Sequence, residues 1–254
     1  DRPAEWIDQY DGQTIFQPDV YGKHVKRSFE LPDSSTFPDQ LWQSSRIVNE
    51  AINLAKQFPA GPVHINIPLR EPFYPNKGEE LLFPEKPRVF NLSKSKIQPT
   101  EESLIKLKSR LEIVKKILIV PGQQRPNAQI QSILDELSSN TNAVVVTDTI
   151  SNLQSDQTIS FHDHWLGHLE ISENLKPDLI ISFGKSVISK SLKLFLRKSH
   201  ASHWHVQEDG AAKDTFQRLT RNITATPLFF LNWLNQNLAA QDSHFYQAWH
   251  FLEK

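Results

Sequence analysis

The segment Gly61-Pro62-Val63-His64-Ile65-Asn66-Ile67-Pro68 constrains the fold more than any other stretch of this chain. Val63, Ile65 and Ile67 alternate with His64 and Asn66, the period of two that a strand requires. Gly61-Pro62 opens the run and Pro68 closes it, because proline has no N–H to give to a sheet ladder. Just upstream, residues 45–58 space Ile47, Ala51, Ile52, Leu54, Ala55 and Phe58 as a helix does. A helix running into a short, proline-bounded strand predicts an α/β fold. From Arg70 to Pro99 the character changes: Pro72, Pro75, Pro84, Pro87 and Pro99 stand among charged residues, and the stretch reads as a linker.

Beyond Pro99, Thr100 is placed to cap a helix whose first turn holds Glu101 and Glu102, where negative charge suits the helix dipole. Leu104, Leu107 and Leu111 share one face of that helix, with Ile105 at its margin. Strands are predicted at 116–120, 143–147, 178–183 and 204–207, and helices at 127–137, 187–196 and 227–238. Alternation at this spacing predicts parallel strands joined by right-handed crossovers, so residues 100–240 read as a doubly wound, mostly parallel α/β domain. The tail, His244 to Lys254, reads as a helix or linker leading onward.

Ligands of open α/β sheets sit beyond the carboxyl ends of the strands. Those ends are Pro121-Gly122-Gln123-Gln124, Asp148-Thr149-Ile150-Ser151, Gly184-Lys185-Ser186 and Glu208-Asp209, which should line one edge. For a strand-end Asp or Ser, helix capping is the ordinary role.

Composition narrows the function. A formal net charge of -1 offers no field to attract nucleic acid or an anionic membrane. Runs such as Ile117-Leu118-Ile119-Val120 are far shorter than the ~20 residues of a membrane span. The chain has no cysteine, which excludes disulfides and thiolate metal sites and fits a reducing, cytoplasmic compartment. Only 8 glycines occur, and neither G-x-G-x-x-G nor G-x-x-x-x-G-K-[ST] is present, which argues against a self-contained nucleotide enzyme. His162, His164 and His168 form one histidine group; His200, His203 and His205 form another, in which His203 and His205 share a strand face. Without HExxH or cysteine they read as loop or surface imidazoles rather than metal ligands. No G-x-S-x-G elbow supports a serine hydrolase. The six tryptophans do not interleave with a basic stripe and read as core or interface residues.

The helix followed by GPVHINIPLREPFYP resembles the end of the pyrimidine-binding (PYR) domain of thiamine-diphosphate enzymes. Asp1-Arg2-Pro3-Ala4-Glu5, Asp11-Gly12-Gln13-Thr14-Ile15-Phe16-Gln17 and Thr147-Asp148-Thr149-Ile150-Ser151-Asn152 are similar to the 2-succinyl-5-enolpyruvyl-6-hydroxy-3-cyclohexene-1-carboxylate synthase family of menaquinone biosynthesis. The likeness runs in order along nearly the whole chain. It implies four regions: 1–74, the C-terminal part of a PYR domain; 75–99, a linker; 100–240, the central α/β domain; and 241–254, the start of a linker to a pyrophosphate-binding (PP) domain.

The resemblance also implies chemistry. Family members are thiamine-diphosphate- and Mg-dependent transferases, acting as carboligases. They decarboxylate 2-oxoglutarate and add the succinyl unit to isochorismate, and the superfamily assembles as homodimers or homotetramers. Arg2 and Gln13 match positions that bind the carboxylate-bearing substrate, and Lys190 matches a lysine reaching toward substrate carboxylates. The family often has asparagine before the glutamine, where this chain has Gly12; some members follow the lysine with arginine, where this chain has Ser191. The glutamate that promotes ylid formation and the G-D-G…N segment holding metal and diphosphate do not occur here. They are expected before Asp1 and after Lys254, so no cofactor is expected to bind this chain alone. Two rivals remain: a central domain of the acetolactate synthase type, whose relatives carry flavin in some cases, and a non-catalytic scaffold or dimerisation module.

Overall fold

The computed structural model describes all residues except 1, 11, 13, 34–36, 71–73, 81–87, 94–96 and 168–172. The chain divides into two compact units, Asp1–Ser95 and Lys96–Lys254. Among the described residues no helix is long and apolar enough to cross a membrane.

In the first unit, strands β1 (Ser28–Glu30) and β2 (His64–Asn66) pair in parallel, with Phe29 opposite Ile65. Helix α1 (Pro38–Lys56) connects them. It begins earlier than the apolar spacing predicts, because Pro38 occupies a first-turn position that needs no N–H donor and the Gln40 side chain accepts from the Phe37 N–H at 3.2 Å. Phe29, Ile47 and Ala51 are the buried core, with Leu31, Leu54, Val63 and Ile65 packed against it. The strand alternation holds only in part: Asn66 is buried at 4% exposure, whereas Ile67 is 48% exposed. Within the predicted linker, Arg88 and Phe90 lie along α1. The Asn49 amide donates to the Arg88 carbonyl at 2.9 Å, and the Asn53 amide to the Phe90 carbonyl at 3.0 Å.

The second unit is the doubly wound sheet that the alternation predicts. Its strands are β3 (Ile117–Pro121), β4 (Val144–Val146), β5 (Thr158–Ile159), β6 (Leu179–Phe183), β7 (Ser202–Gln207) and β8 (Leu219–Thr224). They lie in the order β5-β4-β3-β6-β7-β8, and every neighbouring pair is parallel. The helices are α2 (Glu101–Leu111), α3 (Ala128–Thr141), α4 (Asp163–Leu166), α5 (Lys190–Lys198), α6 (Pro227–Asn237) and α7 (Ser243–Glu253).

Every residue of β3 and β6 is buried, the burial expected of parallel strands covered on both faces. Leu107 and Leu111 of α2, Leu134 of α3 and Phe230 of α6 cover one face. Trp165 of α4, Leu192 and Phe195 of α5, and Phe245 and Trp249 of α7 cover the other. The tail, expected as a helix or linker, is the helix α7, and its Phe245 and Trp249 join the core. The Trp249 ring lies edge-on to Trp165, its centroid 5.2 Å away, and its Nε1–H donates to the Leu175 carbonyl at 3.2 Å.

Caps fix where these helices start, each satisfying an N–H that the helix leaves unpaired. Thr100 Oγ1 accepts from the Ser103 N–H at 3.3 Å, Asn127 Oδ1 from the Gln129 N–H at 3.0 Å, and Thr226 Oγ1 from the Phe229 N–H at 3.2 Å.

Candidate functional site

The strand order reverses beside β3, and in folds of this kind the crevice at the carboxyl edge there receives the ligand. Here that crevice is stitched shut by the protein's own backbone. The Gly122 N–H donates to the Phe183 carbonyl and the Gln123 N–H to the Ser186 carbonyl, both at 2.8 Å; the Lys185 N–H returns to the Gln123 carbonyl at 2.9 Å. A Cβ on Gly122 would stand 2.3 Å from the Lys185 carbonyl oxygen, so only glycine allows the two loops to meet. Gly184, at φ +80°, makes the matching turn on the other side. N–H groups that could cradle a phosphate are spent on the neighbouring loop.

The remaining strand-end residues brace this edge. Asp148 Oδ2 accepts from the backbone N–H groups of Ile188 and Ser189 ahead of α5. Ser189 caps α5 by accepting from the Leu192 N–H at 2.9 Å, while its hydroxyl donates to Asp163. The Asn152 amide donates to the Gln124 carbonyl at 2.7 Å, tying the loop after β4 to the loop after β3. Ser189 thus caps α5, while Asp148 fixes the loop that leads into it.

On the α3 and α6 side of the same edge, a cavity of about 310 Å³ opens between the loops after β3, β7 and β8. Gln124, Arg125, Asn127, Glu208 and Leu228 are among the residues that line it. Sequence reading put Gln124 and Glu208 on this edge but gave no role to Arg125. Its approach to Glu208 depends on how two separate loops fold.

The two histidine groups meet the loop or surface placement expected of them only in part: His164 and His200 are exposed, whereas His162, His203 and His205 are buried, and His168 lies outside the described residues. Ser182 of β6 sits between His203 and His205 of β7, its Oγ 2.7 Å from His203 Nε2 and 2.8 Å from His205 Nδ1. Burial, helped by neighbouring His205, pushes the His203 pKa down to about 4, against a raising influence from Asp214. Burial lowers His205 as well, with Lys213 adding to the effect. His203 Nδ1 stands 4.0 Å from Asp214, an arrangement that superficially resembles a nucleophile relay. Yet the Ser182 hydroxyl is shared by two imidazoles and buried in mid-strand, leaving no face open to a substrate. His162 is buried with neither ring nitrogen bonded among the described residues, and burial lowers its pKa. Among the described residues, no three His, Cys, Asp or Glu side chains are placed to hold a metal ion.

Of the residues proposed from sequence to meet carboxylates, Arg2 is half-buried in the first unit and Lys190 is exposed in the first turn of α5. Gln13 lies outside the described residues. No hydrogen bond or ion pair among the described residues occupies the Lys190 ammonium, which leaves it open to an anion.

An all-parallel, doubly wound sheet with helices on both faces and a sealed switch point defines an α/β domain of the nucleotide-fold type whose N–H groups at Gly122 and Gln123 are already bonded. Residues 93–252 match the family model described as "Middle domain of thiamine pyrophosphate", and the chain belongs to that family. It is 39% identical to a 2-succinyl-5-enolpyruvyl-6-hydroxy-3-cyclohexene-1-carboxylate synthase of Cytophaga hutchinsonii, over 98% of this chain and 44% of the relative. It is 35% identical to the synthase of the same name from Porphyromonas gingivalis, over 88% of this chain and 38% of the relative. The chain thus spans less than half the length of these curated relatives. The crystal structure of benzoylformate decarboxylase from Polynucleobacter necessarius shares the fold at a TM-score of 0.55 and 16% identity, covering 95% of this chain and 44% of that one.

Proposed function

We propose that this chain is the middle of a thiamine-diphosphate-dependent carboligase, a transferase that decarboxylates 2-oxoglutarate and adds the succinyl unit to isochorismate in menaquinone biosynthesis. The observation that carries this reading is the 39% identity sustained along 98% of the chain to a synthase of that name. In this reading, residues 1–74 complete a PYR domain, 75–99 link it to a central domain at 100–240, and 241–254 lead toward a PP domain. The parent acts in the cytoplasm as a homodimer or homotetramer.

Thiamine diphosphate, with magnesium, would supply the carbanion chemistry in the parent. The described residues do not fit that group: the N–H donors at Gly122 and Gln123 are already bonded, and no carboxylate cluster awaits a cation. Both would be held by parts of the parent other than this chain. Arg2, Gln13 and Lys190 would hold substrate carboxylates, Arg2 through paired guanidinium bonds and Lys190 as a point charge.

The test is the full-length parent assayed with 2-oxoglutarate and isochorismate, with and without thiamine diphosphate. Cofactor-dependent loss of both substrates is expected. Lys190→Ala should raise KM for a substrate with little change in kcat, and Lys190→Arg should recover part of it. A parent that consumes neither substrate overturns the reading. A parent that binds flavin and acts on pyruvate would favour the acetolactate synthase type instead.

A further inference from the structure

Lys190 is not among the described residues that line the cavity at the carboxyl edge, which has a chemistry of its own. Arg125 and Glu208 both line it, yet no ion pair joins them and no hydrogen bond among the described residues engages either side chain. The Gln124 Nε2 is buried without a hydrogen-bond partner among the described residues, an arrangement that costs on the order of 1–3 kcal/mol unless something accepts from it. Asn127 spends its Oδ1 on the Gln129 and Ile130 N–H groups, which leaves its amide nitrogen available as a donor. The apolar wall is Ile130 and Leu228.

These groups specify a ligand by charge and by geometry. Donors cluster at Arg125 and Gln124, which suits a carboxylate: the guanidinium fork matches its two oxygens, and the amide adds a third bond. Glu208 supplies the complementary acceptor, which suits an ammonium or a hydroxyl. Among the described residues the lining carries one cation and one carboxylate, so a phosphate dianion or a diphosphate would meet as much repulsion as attraction. A volume of about 310 Å³ holds a small metabolite and not a dinucleotide.

We propose that this cavity binds a small monocarboxylate bearing an ammonium or hydroxyl group. Arg125 and the Gln124 amide take the carboxylate, Glu208 takes the second polar group, and a short apolar side chain lies against Ile130 and Leu228. An amino acid and its hydroxy analogue share this chemistry, and the experiment separates them.

The full chain is titrated with L-leucine, with L-leucic acid and with inorganic phosphate, and binding is followed by calorimetry and ligand-observed NMR. At least one of the two carboxylates should bind more tightly than phosphate. Arg125→Met should weaken that binding by about tenfold or more, the loss expected of a charge-assisted bond. Arg125→Lys, which keeps the charge but loses the fork, should fall between. Glu208→Gln should weaken L-leucine about fivefold or more while leaving L-leucic acid within about twofold, if the second group is an ammonium; the reverse preference assigns a hydroxyl. Arg125 is exposed and Glu208 lies at the edge, so folding is retained, which the unfolding midpoint checks. Dissociation constants above about 10 mM for both carboxylates, tighter binding of phosphate, or indifference to both Arg125 variants would each overturn the proposal.

Discussion

In the six-stranded unit, α2, α3 and α6 cover one face of the sheet and α4, α5 and α7 the other, while β1 and β2 share only α1 and a core of Phe29, Ile47 and Ala51 among the described residues. Parallel strands leave apolar side chains on both faces and need both covered, and a two-stranded sheet alone is marginal in water. The first unit accordingly shows large apolar groups to solvent, with Trp42 57% and Leu41 58% exposed. What holds it is more polar. Arg70 pairs with both Glu5 and Asp33 at 2.6 Å, and that bond lowers the Glu5 pKa. Exposed pairs of this kind contribute little. One unit is held by a large packed core and the other by a small one with polar contacts added at its surface, so the same perturbation should affect them differently.

The largest expected effect is in the packed unit. Trp249→Ala removes a fully buried ring that touches Trp165, Phe195 and Phe245, and leaves the Leu175 carbonyl without its donor. Loss of such a ring should cost ~3–5 kcal/mol. Urea unfolding should show that loss in the second unit, and hydrogen exchange at β1 and β2 should stay unchanged. A cost below about 1 kcal/mol would mean that α7 is a loosely attached tail and would narrow the contrast between the units.

Acid should separate the units next. His203 has an ordinary pKa of 6.5 and is held at about 4 when folded, mainly by burial. Between those values the unfolded chain binds the proton and the folded chain does not, so stability rises with pH. It is complete above pH 6.5 and falls progressively as the pH drops toward about 4, a loss on the order of 3 kcal/mol. His205 and His162, both lowered by burial, act in the same direction. Unfolding free energies measured from pH 7 to 4 should decline in the second unit, and less steeply in His203→Gln, whose amide can still meet Ser182. An equal slope in the variant would remove His203 as the cause.

Sequence reading succeeded where burial is complete. Ile117 to Val120 is an uninterrupted apolar run and Leu179 to Phe183 is broken only by Ser182, because both their faces are covered, and Thr100, Glu101 and Leu111 mark the bounds of α2. Reading failed where the partner strand decides. β8 buries only Ile223, β5 is the pair Thr158-Ile159, and β1 is the three residues Ser28-Phe29-Glu30, so none carries a period of its own. Asn66 is buried in β2 while Ile67 faces out, a reversal no alternation rule anticipates. At the carboxyl edge the four strand-end segments were legible as one rim. Illegible was the closure of Gly122 onto Lys185, since the glycine is required by a loop distant in sequence. The burial of His203 was hidden for a similar reason: Ser182, on the neighbouring strand, satisfies an imidazole that would otherwise belong at the surface.

The smallest expected effect tests the other half of the contrast. Lys26 Nζ donates to the carbonyls of Leu54, Gln57 and Pro59 at 2.7, 2.9 and 3.2 Å, gathering oxygens from the last turn of α1 and the residues just beyond it. A cation there also meets the negative end of the helix dipole. Lys26→Met keeps the aliphatic stem and removes the charge and its three bonds, which should cost up to about 1 kcal/mol. In a unit with so small a core, that loss should appear as faster hydrogen exchange through the last turns of α1 and in β2, with β3 and β6 unaffected. Replacement by Arg should restore part of the protection, since a guanidinium still donates to carbonyls. If exchange in α1 does not change in Lys26→Met, packing around Ile47 and Ala51 suffices to hold the helix. The two units would then differ in the size of their cores and not in the kind of force that holds them.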